Sequence, residues 1–260
     1  MRQHLFIAAT GLLALVAATT RTTTNPSIRP ASRGGWWMQR HQAICDRLKQ
    51  GPVDLIFVGD SIIQNYDKHN PPDEDFQPTW NYFYGDRNAI NMGFSGDHTG
   101  NVLWRLQHGE VDGITPKVAV LLIGTNNTAG AKQTAQQTIA GIQADVALLH
   151  EKLPSAKVLL LGILPSDITP EKGAADAAVN AALAQKYADS DYVRFLDIGP
   201  VFMRNGKLDA SLFYDPRLPP GKDGKPRGPL HPDTHGQRMM AEAIEPTLAK
   251  LMGDRSKVQP

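Results

Sequence analysis

The sequence predicts a three-layer α/β/α sandwich around a parallel sheet of roughly five strands, a flavodoxin-like arrangement. Two observations carry this. Short, mainly apolar runs alternate with longer stretches whose apolar residues fall at helical spacing. The apolar runs also lack the in–out alternation of a half-exposed sheet, so they read as strands buried on both faces. Strict alternation of the two kinds implies parallel pairing through crossover helices.

The elements follow in order. Trp37, Ile44 and Leu48 share one face of a first helix, which Gly51-Pro52 ends. Val53 to Val58 is the first strand; Gly59-Asp60-Ser61 turns sharply and a helix starts at Ile62. Asn70-Pro71-Pro72-Asp73 and Pro78 mark an irregular stretch. Asn88 to Met92 is the second strand, and Thr99 to Gln107 a helix with Val102, Leu103 and Leu106 on one side. Val118 to Ile123 is the clearest strand. Ile139, Ile142, Val146 and Leu149 mark a long helix from Lys132 to Lys152. Val158 to Leu161 is a strand, Ala174 to Ala188 a helix and Tyr192 to Leu196 a strand. Asp215 to Pro229 holds five prolines and three glycines and reads as a loop before a last helix, Thr234 to Met252.

The 260 residues carry a formal charge of +1, which argues against a general nucleic-acid binder. The single cysteine, Cys45, rules out an internal disulfide and any multi-cysteine metal site. Met1 to His4 is basic, Leu5 to Ala18 is uncharged, and Val16-Ala17-Ala18 supplies small residues. That layout is a secretory signal peptide over residues 1–18, against the alternative of an uncleaved anchor. An apolar run this short does not suit a membrane span. Residues 19–33, rich in Thr, Pro, Ser and Arg, read as a flexible linker with nothing to bury, leaving 34–260 as one domain. A secreted or periplasmic protein is the expectation.

In such sheets ligands bind at the carboxyl ends of the strands. Those ends carry Gly59-Asp60-Ser61, Gly93-Phe94-Ser95-Gly96-Asp97 and Gly124-Thr125-Asn126-Asn127, and Leu230-His231-Pro232 precedes the last helix. Together they form an acyl-transfer kit. Ser61 can attack a carbonyl once His231 takes its proton. The N–H groups of Ser61 and Gly96 and the amide of Asn126 can receive the oxyanion. Each piece alone is weak: Ser61 could be a helix N-cap, Asn126 and Asn127 turn formers, and Gly96 a tight-turn residue. Their joint placement is the strong signal. Asp60 and Asp97 read as helix caps. His98 is either a pocket residue or a solvated first-turn residue. Trp36, Trp37, Trp80 and Trp104 read as core or interface, and Cys45 as a small buried apolar group. His231, Asp233 and His235 invite a metal reading, but Pro232 breaks the helical path that would align them, so neither metal nor cofactor is expected.

These blocks resemble the SGNH, or GDSL-type, hydrolase superfamily. The stretch from Asn91 to Leu106 and that from Pro116 to Asn127 resemble its branch of platelet-activating-factor acetylhydrolase catalytic subunits. The resemblance spans about Trp36 to Leu251. It implies metal-free hydrolysis of small acyl esters, with Ser61 and His231 catalytic and Gly96 and Asn126 in the oxyanion hole. Secreted bacterial relatives resemble carbohydrate acetylesterases. Dimers occur in the resembled branch, so a homodimer is a further expectation.

One position departs from the family pattern. An Asp is expected three residues before the catalytic His, and Gly228 stands there. A backbone carbonyl could orient His231, Asp215 or Asp223 could fold back from the loop, or the site could be weakened. Asp233 reads as the cap of the last helix, with Thr234 and Gln237 as a capping box. Three functions therefore stand open. The first is a short-acyl serine esterase acting on carbohydrate. The second is a lysophospholipase or thioesterase. The third, suggested by Gly228, is a non-catalytic glycan-binding protein.

Overall fold

A computed structural model describes residues 25–258. Five parallel strands form the sheet: β1 (Leu55–Gly59), β2 (Ala89–Gly93), β3 (Val118–Leu122), β4 (Lys157–Leu161) and β5 (Val193–Leu196). Their spatial order is β2-β1-β3-β4-β5, so the chain reverses direction across the sheet between β1 and β3. That reversal opens the crevice in which doubly wound folds bind ligands.

Successive strand residues feed opposite cores. Ile56, Val58, Ala119, Leu121, Val158 and Leu160 join one cluster; Leu55, Phe57, Val120, Leu122, Leu159 and Leu161 join the other. The first cluster is closed by α1 (Trp36–Leu48), α4 (Thr99–Gln107), α6 (Ala135–Lys152) and α7 (Pro170–Lys186). The second is closed by α2 (Ser61–Gln64), α3 (Gln77–Tyr84) and α8 (Thr234–Met252). A four-residue helix, α5 (Thr125–Thr128), follows β3. Burial on both faces explains why the central strands β1 and β3 are apolar throughout. Among the described residues no helix is long and apolar enough to cross a membrane.

Some expectations need correction. The irregular stretch ends at a helix: Pro78 sits in the first turn of α3, where no intrahelical donor is lost, and Phe83 and Tyr84 are buried from it. Helix α6 starts at Ala135 because Thr134 and Gln137 form a capping box, and α7 starts at Pro170 behind the Thr169 cap. The leader and residues 19–24 of the linker lie outside the described residues. Residues 25–33, however, pack against the domain, although six of the nine are exposed. Ser27 is fully buried, and Thr99 Oγ1 donates to its carbonyl at 2.7 Å. The segment is held by backbone hydrogen bonds, which hydropathy does not report. Of the tryptophans read as core or interface, Trp37 is buried in the core and Trp36, 45 % exposed, is not.

Candidate active site

Ser61 opens α2 directly after β1. The Asp60 carboxylate caps that helix, accepting from the Ile62 N–H at 2.9 Å. The turn that carries Ser61 lies against the end of β2, where Gly93 pairs with Gly59. A Cβ on Gly93 would stand 2.2 Å from the Gln64 nitrogen, so only glycine admits the turn here. From α8, Gln237 Nε2 donates to the Ile62 carbonyl at 2.9 Å.

His231 meets this turn. Ser61 Oγ lies 3.0 Å from His231 Nε2. On the far side of the ring, Nδ1 lies 2.7 Å from Asp215 Oδ1. The other carboxylate oxygen accepts from the N–H groups of Leu230 (3.0 Å) and His231 (2.5 Å). Burial alone would push the Asp215 carboxyl up. The imidazole and these two amides outweigh it and hold Asp215 below the usual carboxylate range. Tyr214 stacks on the imidazole, with ring centroids 5.5 Å apart and planes 13° from parallel.

Backbone pairing puts Asp215 there. The Asp233 N–H donates to Leu212 O at 2.8 Å and the Tyr214 N–H to His231 O at 3.2 Å, around an antiparallel bridge between Phe213 and Pro232. Asp215 follows as the next residue and faces His231. Of the open alternatives, the structure brings Asp215 to the imidazole; Asp223 is exposed and accepts from the Lys225 N–H. Gly228 packs backbone against backbone. A Cβ there would stand 2.3 Å from the Asp167 carbonyl oxygen.

The second block follows β2. Gly96 has φ +78°, a left-handed conformation glycine adopts without steric cost, and its N–H donates to no protein group among the described residues. Asn126, on α5, donates from Nδ2 to the Asp97 carbonyl at 3.0 Å, which ties the second and third blocks together. An amide carries two N–H bonds, so one remains. The Ser61 N–H, first in its helix, lacks an intrahelical acceptor. Asn127 is structural: it receives the Thr99 N–H at 3.2 Å and donates to Thr99 Oγ1 at 2.9 Å.

Two cap assignments differ from expectation. Asp97 caps nothing; fully buried, it accepts from Trp37 Nε1 (2.7 Å) and Arg105 Nε (2.9 Å). Arg105 in turn donates to Glu110, which lies 2.9 Å from His41 Nδ1. His98 is the residue that caps α4, and its buried Nε2 has no partner, so it is not a solvated residue. Asp233 does cap α8, accepting from the Gly236 N–H at 2.9 Å. Thr234 and Gln237 form no capping box, because Asp233 is the cap and Thr234 already lies inside the helix. Cys45 is only half-buried, its thiol pushed up chiefly by burial. His235 is exposed, and among the described residues no group of three or more His, Cys, Asp or Glu side chains could hold a metal ion.

A serine, a histidine and a carboxylate in line, beside free amide donors at the crevice of a parallel sheet, define the class of serine hydrolases. The comparisons give the family. Residues 57–239 match the GDSL-like lipase/acylhydrolase family, and the chain belongs to it. It is therefore a carboxylic ester hydrolase. The alpha2 subunit of platelet-activating factor acetylhydrolase IB from Gallus gallus is 34 % identical over 179 residues, covering 68 % of this chain and 72 % of that one. A GDSL-like lipase from Bacteroides thetaiotaomicron superposes with a TM-score of 0.58 at 20 % identity, covering 82 % of this chain and 97 % of that one. A variant of an acetyl-xylooligosaccharide esterase from Geobacillus gives 0.53 at 14 % identity, covering 80 % and 97 %.

Proposed function

We propose that this chain is an exported serine esterase that removes short acyl groups, acetyl above all, from carbohydrate esters. The observation that carries the proposal is the unbroken Ser61–His231–Asp215 chain of hydrogen bonds. Ser61 Oγ attacks the ester carbonyl as its proton passes to His231 Nε2. Asp215 keeps the Nδ1 proton in place and stabilises the imidazolium. The N–H groups of Ser61 and Gly96 and the Asn126 amide receive the oxyanion. The imidazolium then protonates the departing alkoxide, leaving an acyl-enzyme. Water, deprotonated by His231, releases the acid and restores Ser61.

Acetyl preference is supported by the relative's name, that of an acetylhydrolase. The carbohydrate alcohol is supported more thinly, by a fold shared with an acetyl-xylooligosaccharide esterase and by the leader-like start of the sequence. The test labels the pure protein with a fluorophosphonate, maps the modified peptide, and measures rates on p-nitrophenyl acetate through octanoate. Label on Ser61 and rates falling with acyl length support the proposal. Rates rising toward octanoate would favour a lysophospholipase or thioesterase. No label and no turnover would leave a glycan-binding protein.

A further inference from the structure

Residues 25–33 form a strap across α4 and α6. Asn25 Nδ2 donates to the Gln137 carbonyl at 3.3 Å, the Ala31 N–H to the Gly100 carbonyl at 2.9 Å, and Asn101 Nδ2 to the Ala31 carbonyl at 2.7 Å. The fit is close. A Cβ on Gly100 would lie 2.4 Å from the Arg29 carbonyl oxygen, and one on Gly141 would lie 2.8 Å from Ser27 Cβ. A strap this well seated delivers its last side chain to a defined place.

That side chain is Arg33, and it reaches the oxyanion loop. One guanidinium nitrogen, Nη1, donates to the Ser95 carbonyl at 2.8 Å and lies 3.3 Å from Asp97 Oδ1. Asp97 is itself anchored by Trp37 and Arg105, so that one nitrogen is held between two fixed oxygens. Among the described residues no other donor reaches the Ser95 carbonyl. The Ser95 C=O and the Gly96 N–H belong to one planar, trans peptide unit, so they point in opposite directions. A cation on the oxygen fixes the plane and thereby aims the N–H. It also draws electron density from the amide, and hydrogen bonds linked in series strengthen one another.

We infer that Arg33 is a positioning residue for the hydrolysis, holding and polarising the Ser95–Gly96 peptide so that the Gly96 N–H meets the oxyanion. The inference rests on the esterase reading above. Oxyanion donors act on the transition state more than on the bound ester, so the effect falls on kcat rather than KM. Loss of a whole donor costs about 100- to 1000-fold, and a donor left in place but loosened costs less, about 10-fold.

The test compares Arg33→Met and Arg33→Lys in the full chain. Arg33→Met is expected to lower kcat on p-nitrophenyl acetate about 10-fold with KM within about twofold. Inhibition by phenylboronic acid, whose tetrahedral adduct places an oxygen in the same hole, should weaken by the same factor. Arg33→Lys, which keeps a cationic donor, should recover most of both. The pH–rate profile should keep its shape, because Arg33 does not touch His231. An unchanged kcat in Arg33→Met would overturn the inference. So would a loss that tracks the melting temperature and is not recovered by lysine. Wild-type protein with no turnover would instead sink the esterase reading.

Discussion

Replacing Asp215 by Asn separates a working triad from a Ser–His dyad. The carboxylate does three things at once: one oxygen holds His231 Nδ1 at 2.7 Å, and the other takes the Leu230 and His231 N–H groups at 3.0 and 2.5 Å. Asparagine has a single acceptor oxygen. With that oxygen toward the imidazole, its NH2 group faces two backbone donors. Turned round, the NH2 group faces Nδ1 and favours the tautomer with the proton on Nε2, which cannot accept from Ser61. Either way the imidazolium loses its counter-charge. The analogous substitution in serine proteases costs about 10⁴ in kcat, or about 5.5 kcal/mol. The assay is kcat on p-nitrophenyl acetate, referred to fluorophosphonate-titrated sites, with Asp223→Asn as a control that changes nothing. A loss under 10-fold for Asp215→Asn would refute the triad and return His231 to a dyad. Stability supplies an independent reading. Because the folded protein holds Asp215 below its unfolded pKa, the stabilisation is complete above about pH 4. It is lost as pH falls through the folded value, so wild type and Asp215→Asn should converge in acid.

Asp60 has the opposite sign. Burial pushes its carboxyl up to about 6, and Oδ2 has no partner. Ionising it therefore costs about 3 kcal/mol once pH exceeds 6. Asp60→Asn keeps the cap and should raise stability by up to that amount at pH 7 and by nothing below about pH 4, as urea melts at the two pH values would show. Gly228→Asp, which puts an acid at the family's usual position, should destabilise the fold and fail to restore Asp215→Ala, since its Cβ would stand 2.3 Å from the Asp167 oxygen. A double variant more active than Asp215→Ala alone would contradict this. Asn126→Ala should lower kcat about 100-fold or more with little change in KM. A change confined to KM would remove Asn126 from the oxyanion hole.

The fold and the four candidate site residues are legible in the sequence for one reason: each is a local signal. A strand buried on both faces must be apolar, and the residue after it must turn; Ser61, Gly96 and Asn126 stand after β1, β2 and β3 in that way. His231 stands just ahead of a well-marked helix. What stays hidden is set by backbone pairing between distant segments. Asp215 lies 16 residues before His231, in a loop whose prolines and glycines advertise only irregularity. Its place depends on the pairing of 212–214 with 231–233, which no periodicity encodes. The strap is hidden likewise: a stretch with two Pro, two Ser and two Arg looks solvated when only side-chain hydropathy is read. Asp97 misleads because a carboxylate ahead of a helix reads as a cap, and its real partner, Arg105, becomes visible only once Phe94 and Trp37 close over the pair.

The displaced acid follows from geometry. A general base needs its Nδ1 proton held by an acceptor in the ring plane, and that requirement is silent about which chain segment supplies it. Around His231 the segment three residues upstream is committed: Pro229 O accepts from the Asp167 N–H at 3.2 Å, and Gly228 lies against the Asp167 carbonyl. A side chain at 228 would force the two strands of chain apart. The 212–214 segment is already paired with the residues around His231, and the next residue, Asp215, reaches Nδ1 at 2.7 Å. Holding a carboxylate there also satisfies the N–H groups of Leu230 and His231, so the same side chain fixes the backbone that carries the base. The Asp215 carboxylate is thus tied to His231 through both the ring and the main chain, and a glycine at 228 is what leaves room for the Asp167 carbonyl.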